Sequence, residues 1–142
     1  LTIKTHKNIF FFIFFFYQKG RYTMSCLFDS LSKHSNSHNS LQIRNIICNY
    51  LQTDPILIGE DRFSKLLGGS EKLMPYIRTM RNTNTWGSAY EIRAFCEIFQ
   101  VVILVKTPEN RWIEFRPFRL KHTKHPQKIK LDWNGCHYEP IL

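Results

Sequence analysis

The chain has 142 residues, 43% hydrophobic and 22% charged, with a formal net charge of +9. That length suits one domain rather than two, and the balance excludes a disordered chain. Four cysteines (Cys26, Cys48, Cys96 and Cys136) form no C-x-x-C pair, which argues against a zinc ribbon and against a disulfide-stapled secreted module. Free thiols in a reducing, intracellular compartment are expected, with a cytoplasmic location. The charge divides unevenly. Residues 1–23 hold Lys4, Lys7, Lys19 and Arg21 with no acid, leaving +5 for the rest. An excess of that size does not mark a nucleic-acid protein, and no such partner is expected.

From the start of the chain, Ile9 to Tyr17 is an apolar run of nine residues rich in Phe. It is far short of the ~20 needed to cross a bilayer, so no membrane span is expected. Lys4 and Lys7 precede it as they would in a signal peptide, but no small-x-small cleavage site follows. The chain opens on Leu1, and its first methionine is Met24. Residues 1–23 are read as a non-domain extension, either translated non-coding sequence or a sticky segment that packs poorly on the body. Residues 24–142 are read as the domain.

Cys26–Ser32 is a short helix candidate with Ser25 as N-cap. Residues 33–40 read as a Ser/Asn/His loop. Leu41, Ile43, Ile46, Ile47, Tyr50 and Leu51 then recur at helical spacing. Residues 52–60, with Asp54-Pro55, read as a turn. Helix returns near Glu71 to Met80, provided Pro75 starts or kinks it. Ser88-Ala89-Tyr90-Glu91 fits a capping box ahead of an apolar stripe of Ile92, Phe95, Ile98 and Phe99. Cys48 and Cys96 should be buried on their helices' apolar faces, without disulfides.

After Gln100 the period changes. Val101–Val105 is a continuous apolar run, mostly β-branched, as in a strand buried on both faces. Pro108-Glu109-Asn110 is a turn, and Trp112, Ile113 and Phe115 supply a second strand. Residues 116–130 carry six Lys or Arg, two His and no acid, and read as a surface loop. Ile129–Leu131 and His137–Leu142 are short strands around a 132–135 turn. Helices first and strands last indicate an α+β class.

Four constellations bear on chemistry. Cys26 would start a helix, whose N-terminus favours a thiolate. His137 would start the last strand, and Glu139, two residues on, shares its face. A thiol, a base and an orienting group is the nucleophilic-hydrolase arrangement; core packing of Cys26 and a hydrogen-bonded strand histidine account for the same residues. His122, His125, Cys136 and His137 lie in or near a Lys-rich loop with no second well-spaced pair. No metal and no cofactor are therefore expected. His34-x-x-x-His38 sits among Ser and Asn and reads as solvated loop. The Arg116–Lys130 stretch fits either a solvated surface or a contact with phosphates or an acidic protein.

The quoted segments, in order, resemble the OTU (ovarian tumour) cysteine peptidases. Cys26-Leu27-Phe28-Asp29-Ser30-Leu31-Ser32 is similar to that family's nucleophile helix, and Leu41 to Leu51 to its second helix. Tyr76 to Met80, Trp86-Gly87, Glu91 to Ala94, the Val101–Val105 strand and the terminal Gly135-Cys136-His137-Tyr138-Glu139-Pro140-Ile141 complete the order. The resemblance covers residues 22–142. It implies an OTU-like cysteine protease fold, with a small central β-sheet flanked by helices.

The implied activity is a thiol-dependent hydrolase that removes ubiquitin or a ubiquitin-like modifier from proteins, with ubiquitin as partner. Cys26 is the implied nucleophile, His137 the general base and Glu139 its orienter. Thr23-Met24-Ser25 stands where the family usually has Asp-Gly-Asn or Asp-Gly-Asp, and would form the oxyanion loop. Trp86 is expected to be partly exposed beside the cleft, bordering the channel for the ubiquitin tail; a core role is its other reading. Two rival functions follow. One is a catalytically impaired OTU-like module that binds ubiquitin or another protein, as part of a mobile-element or viral polyprotein. The other is a nucleic-acid-associated accessory domain of a larger polyprotein.

Overall fold

The computed structural model describes residues 24–118, 120 and 125–142. Residues 1–23, Arg119 and residues 121–124 lie outside the described residues. The expectations for the N-terminal extension, for Thr23, for His122 and for part of the basic stretch fall there.

The chain begins with α1 (Cys26–Ser32) and α2 (Ser40–Gln52). In α1 only Asp29 and Ser32 escape burial, so the helix is held by packing rather than by its short length. Ser25 occupies the N-cap position, yet its hydroxyl makes no cap; it donates to the Thr83 carbonyl at 3.3 Å instead. In α2 the cap is Asn39. Its Oδ1 accepts from the Gln42 N–H at 2.9 Å, and Gln42 Oε1 accepts from the Asn39 N–H at 2.8 Å. Ile43, Arg44, Ile47, Cys48 and Leu51 form its buried stripe, while Leu41, in the first turn, is 52% exposed.

The expected turn over 52–60 contains a two-stranded ribbon, β1 (Ile56–Ile58) and β2 (Asp61–Arg62), turning through Gly59. A short α3 (Phe63–Leu67) follows, its start capped by Asp54, whose carboxylate accepts from the Ser64 N–H and hydroxyl. It ends on left-handed Gly68, φ 102°. A 3-10 turn (Ser70–Lys72) leads into α4 (Leu73–Arg81), where Pro75 sits in the first turn and interrupts no hydrogen bond.

The capping box expected before α5 (Ala89–Phe99) is present, with Glu91 Oε1 accepting from the Ser88 N–H at 2.8 Å. Every residue from Ala89 to Cys96 is buried. The four-stranded sheet has the order β4-β3-β5-β6, from β3 (Val102–Lys106), β4 (Trp112–Phe115), β5 (Lys128–Trp133) and β6 (Tyr138–Ile141). β3 is antiparallel to β4 and parallel to β5, and β6 is antiparallel to β5. β5 runs two residues beyond the expected Leu131, so the turn shortens to the residues before His137.

Ile129, Leu131 and Trp133 point inward from β5, while Lys128, Lys130 and Asp132 alternate to solvent. Helices cover the inward face: α5 packs on β3 and β4, and α1 on α2 and β6. Cys48 and Cys96 are fully buried, Cys136 is half-buried, and all described cysteines are free. No helix among the described residues is long and apolar enough to cross a membrane.

Candidate active site

Because α1 lies against the edge strand β6, the first residue of one meets the start of the other. Cys26 and His137, 111 positions apart in sequence, line one cleft of about 330 Å³ with Asp29, Lys33 and Glu139. Cys26 is 7% exposed. Burial raises its thiol above the ordinary value and the nearby Asp29 adds to the rise, while the backbone amides of Tyr138 and Leu27 oppose it. Burial thus works against the thiolate that a helix start would favour, and the amides offset it only in part. The Tyr138 amide also shows how closely the residue after His137 approaches the sulfur.

Strand alternation explains the other wall. Tyr138 turns into the core against Trp133, with ring centroids 6.5 Å apart, which leaves His137 and Glu139 on the opposite side of the chain. His137 Nε2 is 3.8 Å from Glu139 Oε1, an ion-pair distance that exists as such only when the ring is protonated. Nδ1 is shielded from solvent. The approach to β6 is fixed by Asn134, whose Oδ1 accepts from the N–H groups of Cys136 at 3.1 Å and His137 at 2.8 Å. Gly135 follows it at φ 103°. Sequence reading took Asn134 as turn chemistry and missed that it sets the backbone of His137.

Met24 and Ser25 of the expected oxyanion loop are half-buried and braced from below by Arg44. This guanidinium is 1% exposed. Nη1 donates to the carbonyls of Met80 (2.8 Å), Thr85 (2.9 Å) and Asn82 (3.0 Å). Nη2 donates to the Met24 carbonyl (3.3 Å), Ser25 Oγ (3.3 Å) and the Thr83 carbonyl (3.5 Å). The Phe28 ring lies 4.0 Å beneath it. Burial lowers the Arg44 pKa. Its place on the 44-47-48-51 stripe of α2 was the available signal, hidden by its charge.

Trp86 is half-buried, as expected, and is not among the residues lining the cleft. Its neighbour Gly87 presses on α1, where an added Cβ would stand 2.6 Å from Leu27 Cδ2 and 3.1 Å from the Phe28 ring. The Trp-Gly pair thus reaches the nucleophile helix through the glycine. The remaining candidates stay apart from this chemistry. His34 Nε2 lies 3.2 Å from the Lys130 carbonyl, and His38 Nδ1 sits 3.0 Å from Ser37 Oγ. Among the described residues no group of three His, Cys, Asp or Glu is placed to hold a metal.

The family model for OTU-like cysteine proteases matches residues 25–139, from the residue before Cys26 to Glu139. The chain belongs to that family. A curated relative, ubiquitin thioesterase otu2 of Schizosaccharomyces pombe, is 28% identical over 127 residues, covering 83% of this chain and 42% of the relative. The chain thus spans less than half the length of that OTU protein. The crystal structure of an OTU deubiquitinase from Wolbachia pipientis has a TM-score of 0.66 at 20% identity, over 87% of this chain and 85% of that one. The same bacterial protein bound to ubiquitin gives 0.59 at 19% identity, over 87% and 93%. These likenesses establish the OTU fold.

Proposed function

We propose that this OTU domain is a thiol-dependent hydrolase that removes ubiquitin, or a ubiquitin-like modifier, from proteins. The observation that carries the reading is the shared cleft of Cys26 and His137 within a family match that brackets both. The relative named a ubiquitin thioesterase and the similar fold bound to ubiquitin support ubiquitin as partner.

In this reading the resting thiol is neutral, and His137 acts as general base. Glu139 lies on the Nε2 side of the ring, and the imidazole, which shares the cleft with Cys26, takes the thiol proton. The sulfur attacks the isopeptide carbonyl, and backbone N–H groups of the Met24–Ser25 loop hold the oxyanion. The His137 imidazolium then protonates the departing lysine amine, leaving a thioester. Water, deprotonated by His137, attacks the thioester and releases the modifier's C-terminal carboxylate and the thiol. The free thiols support a reducing, cytoplasmic setting.

A second reading, a module that binds ubiquitin without cleaving it, draws on one observation. Thr23-Met24-Ser25 lacks the glycine that would let the loop turn freely. Release of a fluorophore from a ubiquitin C-terminal amide decides between them. Hydrolysis that disappears in Cys26→Ala supports the enzyme. Saturable ubiquitin binding with no hydrolysis supports the module.

A further inference from the structure

We infer that Arg44 is a positioning residue for the reaction, holding the Met24–Ser25 backbone in the orientation that presents its amide to the oxyanion. The inference rests on the hydrolase reading above. Two features separate Arg44 from an ordinary core residue. It is a cation at 1% exposure whose oxygen partners are five backbone carbonyls and one hydroxyl, so its charge is dispersed over dipoles at a desolvation cost that an apolar side chain would avoid. The fork is also divided: Nη1 takes the last turn of α4 at Met80 and the connection that follows it at Asn82 and Thr85, and Nη2 takes the loop entering Cys26, with one bond to Thr83 joining the two. Ser25 Oγ closes the circuit by donating to the same Thr83 carbonyl.

The consequence for chemistry follows from the peptide plane. In a trans peptide the carbonyl of Met24 and the N–H of Ser25 point in opposite directions. Drawing the carbonyl onto Nη2 therefore turns the Ser25 N–H away from the interior, and it does so one residue before the nucleophile. A lysine cannot replace the fork, because three donors on one nitrogen cannot span the six oxygens that Nη1 and Nη2 reach in the two loops.

The test compares wild type with Arg44→Lys in three readouts on the full chain: hydrolysis of a ubiquitin C-terminal fluorogenic amide, iodoacetamide alkylation mapped to Cys26, and thermal melting. Alkylation needs the thiolate and no oxyanion site, so the two chemistries report different things. The expected result is a kcat lower by about 100-fold with KM within about twofold, the size of losing or misplacing one oxyanion donor. Cys26 alkylation should keep its rate and pH profile. A folded Arg44→Lys with wild-type kcat, or one whose hydrolysis and alkylation fall together, overturns the inference while leaving the hydrolase reading intact. If Arg44→Lys does not fold, Ser25→Ala decides, since it removes one partner of the same brace. A roughly tenfold loss in kcat with alkylation unchanged sustains the inference, and a wild-type kcat overturns it. A wild type that hydrolyses nothing overturns both.

Discussion

Glu91 sets a stability dependence that runs opposite to the usual carboxylate. It is fully buried, and burial raises its pKa from 4.5 to about 7, against the opposing pull of the Tyr76 and Ser88 hydrogen bonds and the more distant Arg44. Its Oε2 accepts from the Tyr76 hydroxyl at 2.8 Å, and its Oε1 from the Ser88 N–H and hydroxyl at 2.8 Å each. Between pH 4.5 and about 7 the folded state binds more of this proton than the unfolded state, so stability from this group is complete below 4.5 and is lost as pH rises. The shift amounts to about 3 kcal/mol across that window. Glu91→Gln has no charge to bury and keeps an acceptor for the Ser88 N–H. Urea unfolding of both proteins from pH 4.5 to 8 isolates the effect, because the difference between them cancels the other titrating groups. Wild type should lose about 3 kcal/mol relative to Glu91→Gln between the two ends. A difference that is flat, or that favours wild type at high pH, would show that burial does not raise the Glu91 pKa in the folded protein.

Three further outcomes are expected. Glu139 is 72% exposed and 3.8 Å from His137, so Glu139→Ala should lower kcat for the fluorogenic ubiquitin amide by about fivefold or less, whereas His137→Ala should remove most of the activity; an equal loss in the two variants would make Glu139 a full member of the machinery. With its thiol raised by burial, Cys26 in the free protein should be alkylated by iodoacetamide at rates still climbing above pH 8; mapped labelling that levels off below pH 7 would show a preformed thiolate. Trp86 is half-buried and does not line the Cys26 cleft, so Trp86→Ala should lower the melting temperature more than it slows cleavage of the ubiquitin tail; weakened cleavage at an unchanged melting temperature would put its ring on the path of that tail.

What was legible in the sequence was local. The Ser88–Glu91 box and the Val101–Val105 strand each announce themselves within a few residues, because the cap and the apolar run are satisfied by near neighbours. The ribbon β1–β2 and the five-residue α3 were missed because segments that short carry no readable period. Residue chemistry offered the Cys26–His137 pairing only beside a core-packing alternative, and the family resemblance chose between them, since no spacing rule links residues brought together by α1 lying on β6. Residue chemistry alone suggested a helix-activated thiolate, and the burial of Cys26, which the sequence does not show, works against it. Arg44 escaped notice for a different reason: its partners are mostly carbonyls, which every residue possesses, so they leave no mark in the sequence. A charged residue on a buried helical stripe was the only clue.

In the proposed reaction Cys26 is the nucleophile of a ubiquitin-directed hydrolase. The most direct test is to incubate the protein with ubiquitin carrying a C-terminal electrophile, then to locate the modified cysteine by peptide mapping. The expected product is a single ubiquitin adduct on Cys26, absent in Cys26→Ala and strongly slowed in His137→Ala. A protein left unmodified, or an adduct confined to the half-buried Cys136, would contradict it.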